Sequence, residues 1–307
     1  MSTKKGKKMF SFENMALKVE ELNFEKTLFL IEGFLVSEAI TMVYGPPSQG
    51  KTWFMLALSA KLAPVMKKVF YIDFDNPKRQ LKERGVDRII GRYANVKYFS
   101  KGGLKATQTE FLGEIDKNAY GENYKGCLFF VDSTRDFVDN IHNDTQAKAF
   151  MQKMKNIRDA GGTVVLIHHA SKSGRVIDGS GEFAKSADNV YELRQKARID
   201  SVLQFVLKVE NDRDAIKDCG FSVDTKALKL DVMDETIAKM SGYEEEFVNK
   251  AVEALKKNPE GLNQTELLKA LGHEKTDRTA RDTVDKFVDK FWQKKKINER
   301  LFKFFAI

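Results

Sequence analysis

A glycine-rich loop between an apolar strand and an apolar helix constrains this chain more than any other segment. The residues Gly45-Pro-Pro-Ser-Gln-Gly-Lys-Thr52 match the pattern GxxxxGK[ST]. Ile40-Thr-Met-Val-Tyr44 leads into the loop as a buried strand, and a helical pattern begins at Thr52. Glycines let successive backbone N–H groups turn toward phosphate oxygens, and the helix start adds the positive end of its dipole. The segment therefore predicts a phosphate-binding loop in an α/β fold.

Each residue of the loop has an expected role. Lys51 would place its charge on the β- and γ-phosphates, and the Thr52 hydroxyl would bind Mg²⁺. The expected ligand is ATP with Mg²⁺, and the alternative of an ordinary glycine turn does not explain the flanking strand and helix. Nucleotide contacts are predicted from Gly45, Pro46, Pro47, Ser48, Gln49, Gly50, Lys51, Thr52 and Trp53.

Carboxylates follow two other strand-like runs. Leu128-Phe-Phe-Val-Asp132 ends in an acid where α/β folds bind ligands, so Asp132 is predicted to complete the Mg²⁺ site. Asp73 and Asp75 lie two apart and would share a face while the strand continues. Asp75 is the better candidate for orienting the attacking water. The alternative is that both aspartates cap a turn or helix before Pro77.

A histidine pair ends the run Thr163–His168, at the same predicted edge. His168 or His169 could sense the γ-phosphate and relay its loss, although histidines in such positions are often structural. Since side chains alternate along a strand, one of the two is expected to face the nucleotide.

Alternation of strand-like and helix-like segments predicts the fold class. Apolar strands joined by helices indicate an α/β domain with a mostly parallel sheet, and three later strand-like runs suggest an antiparallel extension at one edge. A basic arm and lead-in occupies residues 1–22, the P-loop domain residues 23–234, and a polar linker residues 235–243. Predicted strands are Ala39–Tyr44, Lys68–Phe74, Val96–Phe99, Cys127–Asp132, Thr163–His168, Asn189–Arg194, Ser201–Glu210 and Ala227–Val232. Predicted helices are Thr52–Ala63, Lys78–Gly85, Thr107–Lys117 and Thr145–Ala160.

Residues 244–307 have a different character, typical of a small winged helix-turn-helix domain. Three helical patterns are followed by a strand-like tail, and the third pattern places Val284, Phe287 and Trp292 on one stripe. A basic recognition helix and wing would suit duplex DNA, whereas protein docking is the alternative. The basic residues concerned are Lys286, Lys290, Lys294, Lys295, Lys296, Arg300 and Lys303.

Composition limits the remaining classes of protein. A net charge of +8 favours a polyanionic partner without proving one, because basic groups near phosphates release counterions. Two cysteines exclude a disulfide framework, and four scattered histidines do not suggest a metal cluster. Since no apolar run approaches the ~18 residues of a membrane span, we expect a cytoplasmic protein without membrane contact.

The order of these motifs resembles the RecA-like ATPases. Val131-Asp-Ser-Thr-Arg135, Ile167-His-His-Ala-Ser-Lys172 and Ala187-Asp-Asn189 follow the P-loop in the order of that family. The resemblance extends from about Phe34 to Val232 and is nearest to the RepA-type replicative helicases. It implies a RecA-like core, usually in a hexameric ring with ATP between subunits and single-stranded DNA in the central channel.

Two positions depart from the family pattern. Asp75 stands where the family has a catalytic glutamate, and Tyr191 stands where it has an arginine that acts on the neighbouring subunit. The resemblance leaves Lys208 and Arg213 as candidates for that trans-acting cation, with plain surface charge as the alternative.

Family members contact DNA through the loops that follow two core strands. In this chain the first loop carries Arg135, and the second is long, glycine-rich and basic, with Lys172, Arg175 and Lys185.

Three functions stay open on this basis. An ATP-driven DNA helicase or translocase of replication type is favoured. An ATP-switched recombinase or recombination mediator would share the same core. A DNA-binding regulator with little turnover would be consistent with Asp75 and the C-terminal domain.

Overall fold

The computed structural model describes residues 19, 28–171, 176–234, 239–298 and 301–307. The chain divides into two compact units, Met1–Val232 and Met233–Ile307. The predicted basic arm, apart from Val19, and residues 235–238 of the predicted linker lie outside the described residues.

The first unit alternates strands and helices. Its strands are β1 (Phe29–Ile31), β2 (Leu35–Val36), β3 (Ile40–Gly45), β4 (Lys68–Asp73), β5 (Val96–Ser100), β6 (Cys127–Asp132), β7 (Thr163–His169), β8 (Asn189–Ile199), β9 (Val202–Asn211), β10 (Cys219–Asp224) and β11 (Lys229–Met233). Its helices are α1 (Lys51–Leu62), α2 (Lys78–Glu83), α3 (Val86–Arg92), α4 (Gln108–Lys117), α5 (Asp144–Asp159) and α6 (Glu182–Ser186).

Within the described part of the chain, nine strands form one sheet in the order β11-β10-β9-β8-β3-β7-β6-β4-β5. Strands β5, β4, β6, β7, β3 and β8 pair in parallel. Strands β9 and β10 continue the sheet in antiparallel pairs next to β8. All six parallel strands therefore end at one edge, which we call the carboxyl edge, and begin at the opposite, amino edge.

Both faces of the sheet are covered by helices. Along β3, Val43 packs with α1 on one face, whereas Met42 packs with α5 on the other. On β6, Phe130 likewise packs on the face covered by α1, and Phe129 packs on the face covered by α5. Because successive side chains point to opposite faces, an uninterrupted apolar strand is the pattern of a sheet buried on both sides.

Several elements of the first unit differ from the sequence-based predictions: β1, β2 and α6 were not predicted, and α6 occupies the end of the stretch that was expected to be a loop. Gly85 has a φ of +74° and is followed by α3, a helix that the sequence did not predict. Strand β10 was not predicted because Gly220 and Ser222 dilute its apolar pattern, and its partner β9 is what buries it. Strand β8 continues to Ile199, beyond its pairing with β3. Strand β10 and the extension of β8 both form by pairing with β9, and local sequence does not report such tertiary pairing.

The second unit contains α7 (Gly242–Lys257), α8 (Gln264–Ala270), α9 (Arg278–Lys286), β12 (Trp292–Lys296) and β13 (Phe302–Ala306). Helices α7 and α8 begin at capping boxes built by Ser241 and Asn263, which satisfy N–H groups of each first turn. Trp292 is fully buried at the centre, and its indole N–H donates to the Val284 carbonyl at 3.1 Å.

The third helix is shorter than the sequence predicted. Helix α9 ends at Lys286, and Asp289 has a φ of +62°, which turns the chain out of the helix. Trp292 belongs to the strand β12 that follows, in antiparallel pairing with β13. The basic cluster Lys294–Lys296 therefore lies on this two-stranded ribbon and not on a helix.

Candidate nucleotide site

The phosphate-binding loop connects β3 to α1 and depends on two glycines. Gly50 has a φ of +74°, and a side chain there would reach within 3.0 Å of the Phe205 ring. A Cβ atom at Gly45 would come within 2.5 Å of the Leu193 carbonyl oxygen. At Gly50 the left-handed backbone favours glycine, and at Gly45 the close approach of another backbone requires it.

Helix α1 presents N–H groups to the loop. In the described structure no side chain caps its first turn, and that turn carries no acidic residue. The first residue is Lys51, whose Nζ donates to the Gly45 and Pro46 carbonyls at 2.8 Å each. Burial lowers the pKa of Lys51 to about 8, against the opposing influence of Asp132 and Asp75. Uncapped N–H groups, a helix dipole and a cation at one point are the components of an anion site.

The loop is also anchored to β8. The Gln49 side chain accepts a hydrogen bond from the backbone N–H of Gln195 at 3.0 Å. Pro47 and Ser48 are exposed at the tip of the loop, whereas Trp53 is half-buried against the core. Of the nine residues predicted to contact nucleotide, Trp53 has a side chain that packs against the core.

Asp132 ends β6 at the carboxyl edge, beside the start of α1. It is buried, hydrogen-bonds with the Thr52 side chain, and accepts from the Tyr71 hydroxyl at 3.3 Å. Burial, with the nearby charges of Asp73 and Asp75, raises the pKa of Asp132 to about 7. A hydroxyl and a carboxylate are oxygen ligands of the kind that Mg²⁺ prefers, with phosphates and water supplying the rest.

Asp73 and Asp75 do not have equivalent surroundings. Asp73 is buried, and its carboxylate accepts from the backbone N–H groups of Asp75 (3.2 Å) and Asn76 (2.9 Å) and from the Tyr98 hydroxyl (2.7 Å). The alternative of a turn-capping role therefore describes Asp73. Asp75 lies beyond the end of β4, exposed at the carboxyl edge.

The two histidines also differ. His168 is buried, with its Nε2 donating to the Asp178 carbonyl at 2.7 Å. Because a carbonyl only accepts, the proton lies on Nε2, and Nδ1 accepts from the Thr134 hydroxyl at 2.6 Å. Burial lowers the pKa of His168 to about 4, so it is neutral. This side chain joins the loop after β6 to the loop after β7.

His169 faces the other way, toward the open part of the site. With Asp75, Ser133 and Arg135 it lines a polar cavity of about 590 Å³. Partial burial lowers the pKa of His169, and the positive charge of Lys51 adds to the effect. Alternation along β7 thus separates the pair into one histidine that bridges two loops and one beside the candidate catalytic acid.

The position of the family's trans-acting arginine and the two candidates for its replacement lie in different parts of the sheet. Tyr191 is buried and donates to the Gly33 and Phe34 carbonyls. Lys208 is exposed on β9, in register with Glu192 of β8. Arg213 is at the amino edge, where its guanidinium lies 3.3 Å from the carboxylate of Asp188. Arg213 is therefore at the edge opposite to the P-loop of its own chain.

The predicted DNA-binding residues of the first unit are only partly described. Arg135 is exposed on the helical turn Thr134–Phe137, directly after Asp132. Lys185 is exposed on α6 and lies 3.5 Å from Glu182. Lys172 and Arg175 lie outside the described residues.

In the second unit, three of the six predicted lysines are engaged by acids, and Arg300 lies outside the described residues. Lys286 pairs with Glu244. Lys290 lies 2.7 Å from Asp234, and Lys294 lies 2.8 Å from Asp285. Lys295 is over the ring of Phe305 at 5.2 Å, and Lys296 is exposed on the same strand.

Sequence reasoning missed three polar side chains behind the site. Tyr71, Tyr98 and Thr134 each hydrogen-bond to a residue that the motifs had singled out. A tyrosine two residues before Asp73 was a visible signal, but its partner Asp132 is 61 residues away in sequence. Only the pairing of β4 with β6 brings the two together.

Two features are absent from the described residues. None of the described helices is long and apolar enough to cross a membrane. No group of three or more His, Cys, Asp or Glu side chains in the described ranges could hold a metal ion. The second finding is compatible with Mg²⁺, which is usually bound through one or two protein groups together with substrate phosphates.

Comparisons with known proteins agree with this geometry. A solved structure described as an ATPase domain is similar in fold, with a TM-score of 0.52 at 12% sequence identity. The match covers 73% of this chain and 96% of that one. No curated protein matches the sequence. The family model described as an AAA domain matches residues 20–175, about half of the chain. The α/β class and the RecA-like resemblance are thereby confirmed, and the chain belongs to the AAA domain family, with a RecA-like P-loop ATPase core.

Proposed function

We propose that this protein is an ATP-dependent DNA helicase or translocase that couples hydrolysis of Mg²⁺-ATP to movement on single-stranded DNA in replication. One observation carries the proposal. Thr52 and Asp132 meet at the carboxyl edge, while Asp75 and His169 line the cavity that continues to Arg135 on a candidate DNA loop. Residues of the nucleotide site and of the proposed nucleic-acid surface would thus line the same cavity.

The site residues divide the chemistry among them. Lys51 and the N–H groups of α1 would bind the phosphates, and Thr52 with Asp132 would hold Mg²⁺. The metal ion would neutralise charge on the phosphate oxygens during transfer. Asp75 is exposed at the edge and would orient the attacking water and accept its proton. His169, beside Asp75, would respond to the γ-phosphate, while His168 is held between two loops.

A homo-oligomer, with a hexameric ring as the expected form, would complete the site between subunits. Lys208 and Arg213 are both exposed, but Arg213 is engaged by Asp188, so Lys208 supports the trans-acting role better. Single-stranded DNA would follow the basic loops that carry Arg135, Lys172 and Arg175, whereas Lys185 lies on α6, where its carbonyl accepts from the Arg213 guanidinium at 3.3 Å.

The second unit is proposed to be a winged-helix domain that binds duplex DNA. Support comes from its three short helices followed by a two-stranded ribbon, whose first strand carries Lys294, Lys295 and Lys296. We propose the division into an ATPase domain at 23–234, a linker at 235–243 and this domain at 244–307. Weak binding of duplex DNA, with retention of a protein partner by the same ribbon, would support the docking alternative.

ATPase activity measured with and without single-stranded DNA tests the central proposal. We expect single-stranded DNA to stimulate turnover, a forked duplex to be unwound, and the mass in solution to increase to that of an oligomer when ATP is present. ATPase activity that ignores DNA, together with an intact forked duplex, would contradict it. Filaments along DNA, seen by electron microscopy, would favour the recombinase.

A DNA-binding regulator with little turnover is the second candidate, and Asp75 favours it. The aspartate reaches one methylene less far than the glutamate expected at this position, which would slow water activation. Turnover near zero, combined with an ATP-dependent change in DNA affinity, would establish this function in place of the helicase.

A further inference from the structure

Two tyrosines, the buried Tyr71 and the half-buried Tyr98, lie behind the acidic residues of the site. Tyr71 on β4 and Tyr98 on β5 are register partners in the sheet, and their rings stack at 4.7 Å with 10° between the planes. On its other side Tyr71 stacks with Phe130 of β6 at 5.3 Å. The three rings form a rigid row across three parallel strands, on the same face as α1.

The hydroxyl groups of the two tyrosines donate hydrogen bonds to different carboxylates. Tyr71 donates to Oδ2 of Asp132 at 3.3 Å, and Tyr98 donates to Oδ2 of Asp73 at 2.7 Å. Strand geometry explains the arrangement, because Tyr71 and Asp73 are two residues apart and share a face. Burial raises the pKa of both phenols, so both remain protonated donors.

Tyr98 is connected through Asp73 to the turn that carries Asp75. Oδ1 of Asp73 accepts from the backbone N–H groups of Asp75 and Asn76 at 3.2 and 2.9 Å. Arg84 stabilises the turn by donating a hydrogen bond to the Asn76 side chain at 2.7 Å. Asp73 is thereby committed to protein donors, and its orientation determines where the exposed Asp75 lies.

Tyr71 acts on a different group. The Asp132 carboxylate hydrogen-bonds with both the Thr52 side chain and the Tyr71 hydroxyl. Without a donor at Oδ2, the carboxylate could rotate about its Cβ–Cγ bond, and its oxygen atoms would no longer be held toward Thr52. Groups that orient metal-binding side chains contribute to metal affinity in this way.

We propose that Tyr71 and Tyr98 are positioning residues, each orienting one acid of the nucleotide site. Tyr71 holds the Mg²⁺-binding carboxylate of Asp132, and Tyr98, through Asp73, holds the turn that presents Asp75 to water. The inference rests on the proposed ATPase function and assigns separate consequences to the two hydroxyls: metal binding depends on Tyr71, and turnover depends on Tyr98.

The experiment compares Tyr71→Phe and Tyr98→Phe with Tyr191→Phe as a matched control. Tyr191 is buried like Tyr71 and loses the same atom, but its hydroxyl donates to the Gly33 and Phe34 carbonyls. For Tyr71→Phe we expect the Mg²⁺ concentration for half-maximal ATPase to rise about tenfold. The Mg²⁺-dependent gain in ADP affinity, measured by calorimetry without turnover, should fall by a similar factor.

For Tyr98→Phe the expected change is in turnover. kcat should fall about tenfold, while the KM for ATP and the Mg²⁺ requirement stay at the wild-type values. Asp73→Asn should lower kcat by a similar factor, and kcat of the double variant should fall little below that of either single variant, because both changes break the Tyr98–Asp73 contact. Near-UV circular dichroism identifies any variant that fails to fold, and either member of the Tyr98–Asp73 pair then suffices.

Two results would overturn the inference. Kinetic and binding parameters equal to those of Tyr191→Phe would assign both tyrosines a purely structural role. Identical changes in both tyrosine variants would remove the proposed division between metal binding and turnover. A wild-type protein with no ATPase activity and no Mg²⁺-dependent ADP binding would instead refute the proposed function, so the two failures are distinguishable.

Discussion

The two edges of the parallel sheet differ in how their buried charged side chains are paired. At the amino edge, the carboxylate of Asp188 accepts from the backbone N–H of Ile40 at 2.9 Å and pairs with Arg158 at 2.9 Å and Arg213 at 3.3 Å. At the carboxyl edge, Asp132 and Lys51 are both buried, and Lys51 donates to backbone carbonyls while Asp132 accepts from hydroxyl groups.

The difference separates a structural cluster from a binding site. Asp188 has a partner for each of its oxygens within the chain, so its charge is compensated in the folded protein itself. Burial lowers the pKa of Lys51 and raises that of Asp132, which means that both charged forms lack full compensation from the protein. Phosphates and Mg²⁺ are ligands that would supply it, and such perturbed groups mark functional sites.

The largest expected effect is at the carboxyl edge. Lys51→Ala should lower ATPase activity by roughly a hundredfold or more, since removal of one group that stabilises transition-state charge commonly has this effect. Circular dichroism should stay unchanged, because the lysine acts on phosphate. Lys61→Ala, at the other end of α1, is the control and should retain activity. Full ATPase activity in Lys51→Ala would refute the site assignment.

At the amino edge the expected effect is on stability. Asp188→Asn leaves Arg158 and Arg213 without their carboxylate, and we expect a loss of about 2 kcal/mol in the free energy of unfolding. Urea denaturation measures this loss. kcat per folded molecule should be unchanged, and a selective loss of turnover would show that the amino edge takes part in catalysis.

A smaller effect is expected where His168 joins two loops. Thr134→Val removes the donor to His168 Nδ1 and should cost about 1 kcal/mol in stability and reduce stimulation by single-stranded DNA. Thr41→Val is a matched control, since the buried Thr41 hydroxyl has no hydrogen-bond partner in the described structure. Equal stimulation in both variants would show that this bridge does not transmit DNA binding.

An effect of similar size concerns the pH dependence of stability. The folded pKa of His168 is about 4, below the ordinary 6.5, so the unfolded chain takes up its proton first as the pH falls. Stability is therefore fully present above pH 6.5 and should decrease by about 1 kcal/mol between pH 7.5 and 5.5 from this group. His169 has a lowered pKa and acts in the same direction.

Urea denaturation of His168→Gln at both pH values isolates the contribution of His168, and we expect a flatter dependence than in the wild type. An unchanged dependence would mean that the buried neutral form of His168 does not control acid stability.

Much of the nucleotide site was predictable because its chemistry is local. The P-loop is a contiguous segment in which spacing determines geometry, and Asp132 follows an apolar run whose end is visible in the sequence. Trp53, by contrast, is adjacent to the loop but packs against the core, because helical geometry turns its side chain away. The different surroundings of Asp73 and Asp75 depend on Tyr98, which arrives from another strand.

In the second unit, too, local sequence did not determine where an element ends. An apolar stripe from Val284 to Trp292 has helical spacing, and local pattern alone could not show that the helix ends at Lys286. The strand at Trp292 exists because β13 pairs with it, and this pairing moves the lysines to the ribbon.

By itself, the sequence determined that this chain forms an α/β fold with a phosphate-binding loop and an acid at the end of a neighbouring strand. These features are encoded in short segments, where backbone freedom, alternation and side-chain chemistry act over a few residues. Tertiary structure alone decided which histidine faces the cavity, which aspartate caps a turn, and which tyrosines lie behind the acids. Such choices depend on contacts between strands that are distant in sequence, and they arise only when the sheet has formed.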